Sequence, residues 1–381
     1  MRIVIVGAGT AGCVLAARLS ESFDHEVVLF EAGPNSDHRL ARGADFMAAC
    51  ESPDLTWPGS TLRGRGVGGT SQINGMVAML GLPSDYDDWG IAGWSWADLL
   101  PAVERIAVPT RVCPASELSV VDEALIEACG GAPLAGPAQL VWDGHQRSSV
   151  VENYLRPALG RSNVVVRCDE VVRAVSHRNG RAQSVVLSSG QAVHADHVVV
   201  CSGSIGSPEI LATSGVPFNA VAPIDHASVT RDFRLARPHT GALLCAAIAH
   251  SDEERTLQAL PMARASAGSI TVGSFVRSVD GASVGSASVD AASAWLTQLV
   301  DHPAVRSIGI DFGAEQPGGY THRAGTVPLG RCLDETAQVI GLKGLRVCDA
   351  SIFPTLPRAN PMMSVILVAE HLAAIFHQIV S

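Results

Sequence analysis

The sequence predicts an α/β fold, a parallel sheet wound with helices and joined to an antiparallel-sheet layer. Three observations predict it. The apolar run Ile3 to Val6 turns at once into Gly7-Ala-Gly9-Thr-Ala-Gly12, a helical pattern follows from Ala11 to Leu19, and a second apolar run, Val27 to Phe30, ends at Glu31. Short β-type runs then fill residues 163–205, and Leu345 to Cys348 returns to the same pattern ahead of a long helical segment. Between them, residues 240–312 alternate as antiparallel strands do.

The opening unit is β-α-β with its acidic residue about 20 positions past the glycines. Gly7 permits the tight turn, Gly9 lets the backbone approach a pyrophosphate, and Gly12 lets helix and strand pack closely. The helix start offers free N–H groups and a positive dipole end to phosphates. Glu31 can accept hydrogen bonds from a ribose diol and would repel a 2′-phosphate, which argues against NADP.

Residues 36–60 read as loop-rich, and Gly64 to Gly75 forms a second glycine cluster. Helical patterning covers Ser95–Ile106 and Glu117–Cys129. Strands are expected at Asn163–Arg167, Val171–Ser176, Ala182–Ser188 and His197–Cys201, with Asn179-Gly180 as a hairpin turn. Ser207-Pro208 is expected to open a helix, because Pro suits the first helical turn. In the middle region Gly241–His250, Ser269–Phe275 and Val305–Phe312 read as strands and Ser288–Leu299 as a helix. Asp349 closes the last strand, either as an acceptor for a bound ligand or as an ordinary cap. A helix is expected from Asn360 to Phe376.

The 381 residues suit one large or two intertwined domains. The net charge of −10 disfavours nucleic acid and anionic membranes as partners, and serves solubility. Nine cysteines include no C-x-x-C pair; they read as reduced, buried small hydrophobes, so neither a metal site nor a disulfide framework is expected. No uninterrupted apolar stretch of membrane-spanning length stands out. The first strand begins almost at Met1, leaving no room for a signal peptide, so a cytoplasmic protein is expected.

Four stretches together resemble the glucose-methanol-choline (GMC) flavin oxidoreductases: GAGTAGCVLAARLS with VVLFEAGP; GRGVGGTSQINGMVAMLGLPSDYDDWG at 64–90; CSGSIGSPEILATSGV at 201–216; and THRAGTVPLG with GLKGLRVCDASIFPTLPRANPMMSVILVAEHLA within 321–373. The chain would be an unusually short member, shortened in its substrate domain. The resemblance implies a Rossmann-type, glutathione-reductase-like FAD-binding domain from 1–35, 61–80, 151–216 and 322–381. An antiparallel-sheet substrate domain would come from 36–60, 81–150 and 217–321.

It also implies FAD as cofactor. Gly7, Gly9, Thr10, Ala11 and Gly12 would face the pyrophosphate, and Glu31 and Ala32 the adenosine ribose. Gly68, Gly69, Thr70, Asn74, Gly75 and Met76 would form the loop under the flavin. Val172, which serves equally as plain core, would touch adenine. Ser202, Gly203, Asp349, Ala350, Pro361 and Met362 would complete the site. Where some relatives tether the flavin through a His before that Asn, this chain has Ile73, so the FAD is expected to be non-covalent.

In relatives a His and a His or Asn stand over the flavin; these positions match His322 and Asn360. Hydride leaves a developing alkoxide far more readily than a neutral alcohol, so an imidazole base is useful there. Asn cannot take the proton, but its amide can orient the hydroxyl and stabilise developing negative charge. The resemblance thus implies oxidation of a small alcohol to a carbonyl, His322 as base and Asn360 as its partner. Two other readings stay open: a relative that uses flavin for lyase or light-driven decarboxylase chemistry, and an electron-transfer partner of a redox cofactor such as mycofactocin. Where relatives often read G-T-C-x-M-G, this chain has Gly325-Thr-Val-Pro-Leu-Gly330, and Pro328 stiffens that loop. Substrate identity, electron acceptor, choice between oxidase and dehydrogenase, and oligomeric state are not legible.

Overall fold

In a computed structural model the chain is described apart from residues 36, 61, 145, 220, 240–244, 265, 276–285 and 381. Five parallel strands form the first sheet, in the spatial order Leu345–Val347, His197–Val200, Arg2–Val6, Glu26–Phe30, Val164–Arg167. The order reverses at Arg2–Val6, the first strand of the chain. In a wound α/β sheet a crevice opens beyond the strand ends at such a switch. The expected opening unit is present, with the helix at Thr10–Leu19.

These strands are apolar on both faces because both are covered. The helices Thr10–Leu19 and Pro361–Val380 pack together over the sheet, and Trp96–Val103 packs on the latter. Tyr86, Trp89, Trp94 and Leu99 lie in this same core. The helices at Pro83–Asp87 and Trp96–Val103 therefore pack with the parallel sheet. Helix starts follow side-chain chemistry. Ser95 with Asp98, and Ser119 with Asp122, each form a reciprocal capping box. The second helix therefore runs from Val120 to Ala128 rather than from Glu117, which belongs to a separate 3-10 turn.

The second sheet is antiparallel and runs Gly309–Ile310, Ala227–Leu235, Ala267–Ser274, Leu257–Arg264, Ala247–His250, Ala135–Pro137; Gln316–Gly319 also pairs with Ala227–Leu235. Its core includes Val121 and Leu125 from one helix and Leu296 and Val300 from the helix Ser286–Asp301. A smaller cluster with Met76, Val77, Leu140, Ala246 and Leu260 joins the two layers. A meander of Val172–Arg178, Arg181–Leu187 and Ala192–His194 turns at Asn179-Gly180 with φ of 51° and 70°. Both central residues are left-handed, as a type I′ hairpin requires.

Two further expectations are corrected. Val305–Phe312 is not a strand: His302 caps a helix at Pro303–Ile308, and only Gly309–Ile310 pairs. The Nδ1 of His302 accepts from the Ala304 amide, and Pro303 at the first position presets the helical φ. Pro208 does not open its helix, which runs Gly203–Thr213 with the proline inside. Proline frees the carbonyl four residues back; the hydroxyl of Thr326 donates to that carbonyl, Ser204, at 2.9 Å. The strand expected over Gly241–His250 is present as Ala247–His250, and residues 241–244 lie outside the described residues.

Among the described residues one helix, Pro361–Ile379, is long and apolar enough to cross a membrane, with a mean hydropathy of 1.5. The sequence reading did not single it out. It lies against the first helix and Trp96–Val103, 67% buried, as the core helix of a folded protein does.

Candidate active site

The three glycines of the opening turn meet three different constraints. A Cβ on Gly7, where φ is +102°, would lie 2.6 Å from the Cys201 carbonyl oxygen. A Cβ on Gly12 would lie 1.9 Å from the carbonyl oxygen of Gly7. Both positions are closed by the fold itself. Gly9 has ordinary φ, and its Cβ would meet only the Cys201 oxygen, at 4.0 Å. Its open side faces the switch point. Gly203 nearby is equally open, with nothing within 4 Å of an added Cβ. Open glycines beside a helix N-terminus form a cradle that fits a pyrophosphate.

The second glycine loop presses on the first. Gly68 N–H donates to the Ala8 carbonyl at 2.7 Å, and a Cβ on Gly69 would lie 3.0 Å from Gly9 Cα. Buried Glu31 ties three loops together. Its oxygens accept from the amides of Ala8 at 2.9 Å, Gly33 at 2.8 Å and Gly66 at 3.1 Å. Burial raises its pKa, and those three bonds oppose the rise. A carboxylate has about four acceptor positions, so room remains for a ribose hydroxyl. The Ala32 carbonyl accepts from Arg65 Nη2 at 2.8 Å. Thr10 and Ala11 open the first helix, and Val172 packs in the first core.

Asp349 serves as a cap, accepting from the amides of Ser351 and Gly203 and the Ser207 hydroxyl at 2.6–2.9 Å, with its pKa raised by burial. Ser202 Oγ donates to the Val6 carbonyl, which fastens the turn after one central strand to its neighbour. The Ala350 carbonyl accepts from Gly325 N–H and so joins the His322 loop to the same strand end. Asn74 Nδ2 lies 2.8 Å from Met362 Sδ, its Oδ1 accepts from Met76 N–H, and Met362 follows Pro361 in the long C-terminal helix. Around Gly75 an added Cβ meets nothing within 4 Å, while Thr70 Oγ1 accepts from the Gly64 amide. Ile73 is buried away in a cluster with Ala49, Cys50 and Leu55.

His322 owes its place to a slip in strand pairing. Ala227 pairs with Gly319 and Ser228 with Gly318, but Ile224 bridges Ala324, so the 319–324 side holds two extra residues. Thr321 sits in this bulge at φ 63°, a left-handed conformation uncommon for a branched residue. Bulges re-aim side chains next to active sites. The His322 amide donates to Asp225 Oδ1 at 2.8 Å, and Tyr320 N–H to the His226 carbonyl at 2.8 Å. The His322 Nδ1 then lies 3.0 Å from His226 Nδ1, the rings at 86°. Tyr320 packs beside the His322 ring, with centroids 4.9 Å apart. Burial pushes the His322 pKa down to about 3, so the ring is neutral at neutral pH.

Asn360 stands just before the C-terminal helix. Its Oδ1 is buried without a hydrogen-bond partner among the described residues, so the side chain does not cap that helix. The segment leading to it is fixed by Arg358, whose Nε meets Asp85 Oδ1 at 2.7 Å and whose Nη1 meets Glu254 Oε2 at 2.9 Å. Asp85 comes from the parallel-sheet layer and Glu254 from the antiparallel sheet. The Pro357 carbonyl is set against the His226 ring. One imidazole thus links the His322 bulge to the Asn360 segment.

Sequence reasoning passed over His226, Arg147 and Arg63. His226 lies 96 positions from its partner, and only the pairing of Ile224 with Ala324 brings them together. Arg147 is buried and donates to the carbonyls of Gln72 and Asn74, holding the loop expected under the flavin. Among the described residues no carboxylate pairs with it, and burial lowers its pKa to about 10. Arg63 stacks on Trp57 at 4.5 Å and approaches Gly206. A cation next to the glycine cluster was visible as Arg63-Gly64-Arg65, but its side was not.

Known proteins share both sequence and architecture. The GMC oxidoreductase profiles match residues 1–226 for the N-terminal part and 310–369 for the C-terminal part. An oxygen-dependent choline dehydrogenase of Photobacterium profundum is 34% identical over 57% of this chain and 47% of its own. The chain thus spans about half the length of the choline dehydrogenases it matches. An uncharacterised GMC-type oxidoreductase of Rhodococcus erythropolis is 26% identical over 98% of this chain and 97% of its own. The crystal structure of pyridoxine 4-oxidase from Mesorbium loti shares the fold at a TM-score of 0.89 and 22% identity, over 99% of both chains.

Proposed function

We propose a function from the premise that this chain belongs to the GMC oxidoreductase family, whose members are FAD-dependent: it binds FAD non-covalently and oxidises an alcohol to a carbonyl. The observation that carries the proposal is a neutral imidazole with one nitrogen engaged, His322, linked by His226 to the segment bearing Asn360, whose Oδ1 is buried without a partner among the described residues.

The residues that would hold FAD are Gly9, Thr10 and Gly203 at the pyrophosphate, Glu31 at the ribose, and Gly68 to Met76 beneath the flavin. FAD supplies the two-electron acceptor for the carbinol hydride. His322 Nε2 takes the hydroxyl proton as the C–H bond breaks. The Asn360 amide donates to the same oxygen and holds it in place while negative charge grows there. Arg147 keeps the Gln72 and Asn74 carbonyls fixed, so the loop does not shift as charge builds.

The test is an anaerobic screen of small alcohols against the FAD-loaded protein, watching flavin absorbance. A substrate should bleach the flavin, and His322→Ala should slow bleaching by roughly 10²–10⁴-fold, the usual worth of a general base. A protein that refuses FAD, or a His322→Ala variant as fast as the parent, defeats the proposal.

A further inference from the structure

We infer that His226 is a positioning residue that sets the tautomer of His322, keeping the proton on Nδ1 and leaving Nε2 bare to act. The inference rests on the reading of His322 as the base, but its first readout does not.

Two ring nitrogens 3.0 Å apart share one proton: one donates and the other offers a lone pair. The geometry decides which. His226 is 3% exposed and stacks on Phe275 with ring centroids 4.1 Å apart. Among the described residues the remaining polar group set against this ring is the Pro357 carbonyl, which can only accept. His226 must therefore carry its proton on Nε2. A second proton on so buried a ring would be a charge without a carboxylate, because Asp225 is turned to the backbone amide of His322. His226 Nδ1 is thus the lone pair, and His322 Nδ1–H is the donor.

The groups facing the pair fit this assignment. Asp225 spends its oxygens on main-chain amides and has Arg323 nearby. Tyr320 and Phe275 present rings. Where many active-site imidazoles lean on a carboxylate, this one leans on a neutral imidazole. The orientation is fixed in the same way, but no negative charge raises the basicity of Nε2.

The test uses FAD-loaded protein labelled with ¹⁵N-histidine and two-bond ¹H–¹⁵N correlation spectra, with His322→Ala and His226→Phe to assign the signals. His322 should appear as the Nδ1–H tautomer and His226 as Nε2–H, both neutral from pH 8 to pH 5. His226→Phe keeps a ring on Phe275 but removes the acceptor. It should mix the His322 tautomers and slow flavin reduction roughly 10- to 100-fold, the range for a lost outer partner, with FAD content and substrate affinity little changed. His226→Asn places a carbonyl oxygen near the former Nδ1 and should restore the single tautomer and most of the rate. A parent spectrum with His322 as Nε2–H, or a His226→Phe protein with its His322 tautomer intact, overturns the inference. If His226→Phe does not fold, the parent spectrum decides. A fast His322→Ala enzyme sinks the base assignment instead and leaves the tautomer result standing.

Discussion

Replacing Gly9 by Ala separates what the fold needs from what the cofactor needs. In the protein alone the new methyl has room: its nearest neighbour is the Cys201 oxygen at 4.0 Å, and the Gly9 backbone, φ −74° and ψ −161°, is open to any residue. Removing a glycine from the unfolded chain stabilises by about 0.4–1 kcal/mol. Gly9 is also the N-cap of the first helix, where Ala is worse than Gly by a similar amount. The two effects cancel to within about 1 kcal/mol. At about 2.1 cal/mol/K per residue the 381-residue chain gains about 0.8 kcal/mol/K of entropy on unfolding. The apoprotein Tm should therefore move by no more than about 1 °C.

If FAD lies as proposed, the same methyl would point into the pyrophosphate cradle. Overfilling a packed site costs about 1–3 kcal/mol, or roughly 5- to 150-fold in Kd. The assay is an FAD titration by fluorescence quenching beside thermal melts with and without FAD. Gly7→Ala is the contrast. Its methyl would lie 2.6 Å from the Cys201 oxygen at a φ of +102°, so both melts should fall by several degrees. A Gly9→Ala protein with parental FAD affinity, or with an apoprotein melting several degrees lower, refutes the assignment of Gly9 to the pyrophosphate.

Three further outcomes are expected. Asn360→Ala should lower the rate of flavin reduction roughly 10²–10³-fold, the cost of one oxyanion donor, with FAD content unchanged; a loss confined to KM in steady-state assays contradicts it. The acid limb of the flavin-reduction rate should lie well below pH 6.5. The folded pKa of His322 is lowered to about 3, so the base stays unprotonated as pH falls through the ordinary imidazole range, while its contribution to stability, present above about 6.5, is lost toward 3. A limb centred on 6.5 in stopped-flow pH profiles rejects this. Asp85→Asn should cost about 1.5–3 kcal/mol, because the Arg358 guanidinium loses a charge-assisted bond to a buried carboxylate while keeping Glu254; chemical denaturation measures it, and a change under about 0.5 kcal/mol refutes it.

The sequence revealed most where the backbone itself is constrained. Gly7 and Gly12 are readable because a side chain at either would strike another main-chain atom, and the strand-turn-helix around them follows from local periodicity. Asn179-Gly180 is readable for the same reason, since both residues need positive φ. Pro208 misled because its compensation is remote: nothing near it in sequence announces Thr326, 122 positions from Ser204. Val305–Phe312 misled because its apolar spacing fits either period, and the choice was made by the cap at His302. His226 was illegible for a deeper reason. A lone His ahead of a strand carries no chemical mark until the pairing of Ile224 with Ala324 brings His322 against it.

The segment 355–362 is tied to the fold at several points. Four ties hold it, drawn from both sheets' layers and from the loop at Asn74. Trp89 Nε1 donates to the Thr355 carbonyl, the His226 ring meets the Pro357 carbonyl, Asp85 and Glu254 hold Arg358 from opposite layers, and Asn74 meets Met362. Between the third and fourth ties stands Asn360, its Oδ1 without a partner among the described residues. An amide held so firmly is preorganised for a group that arrives later.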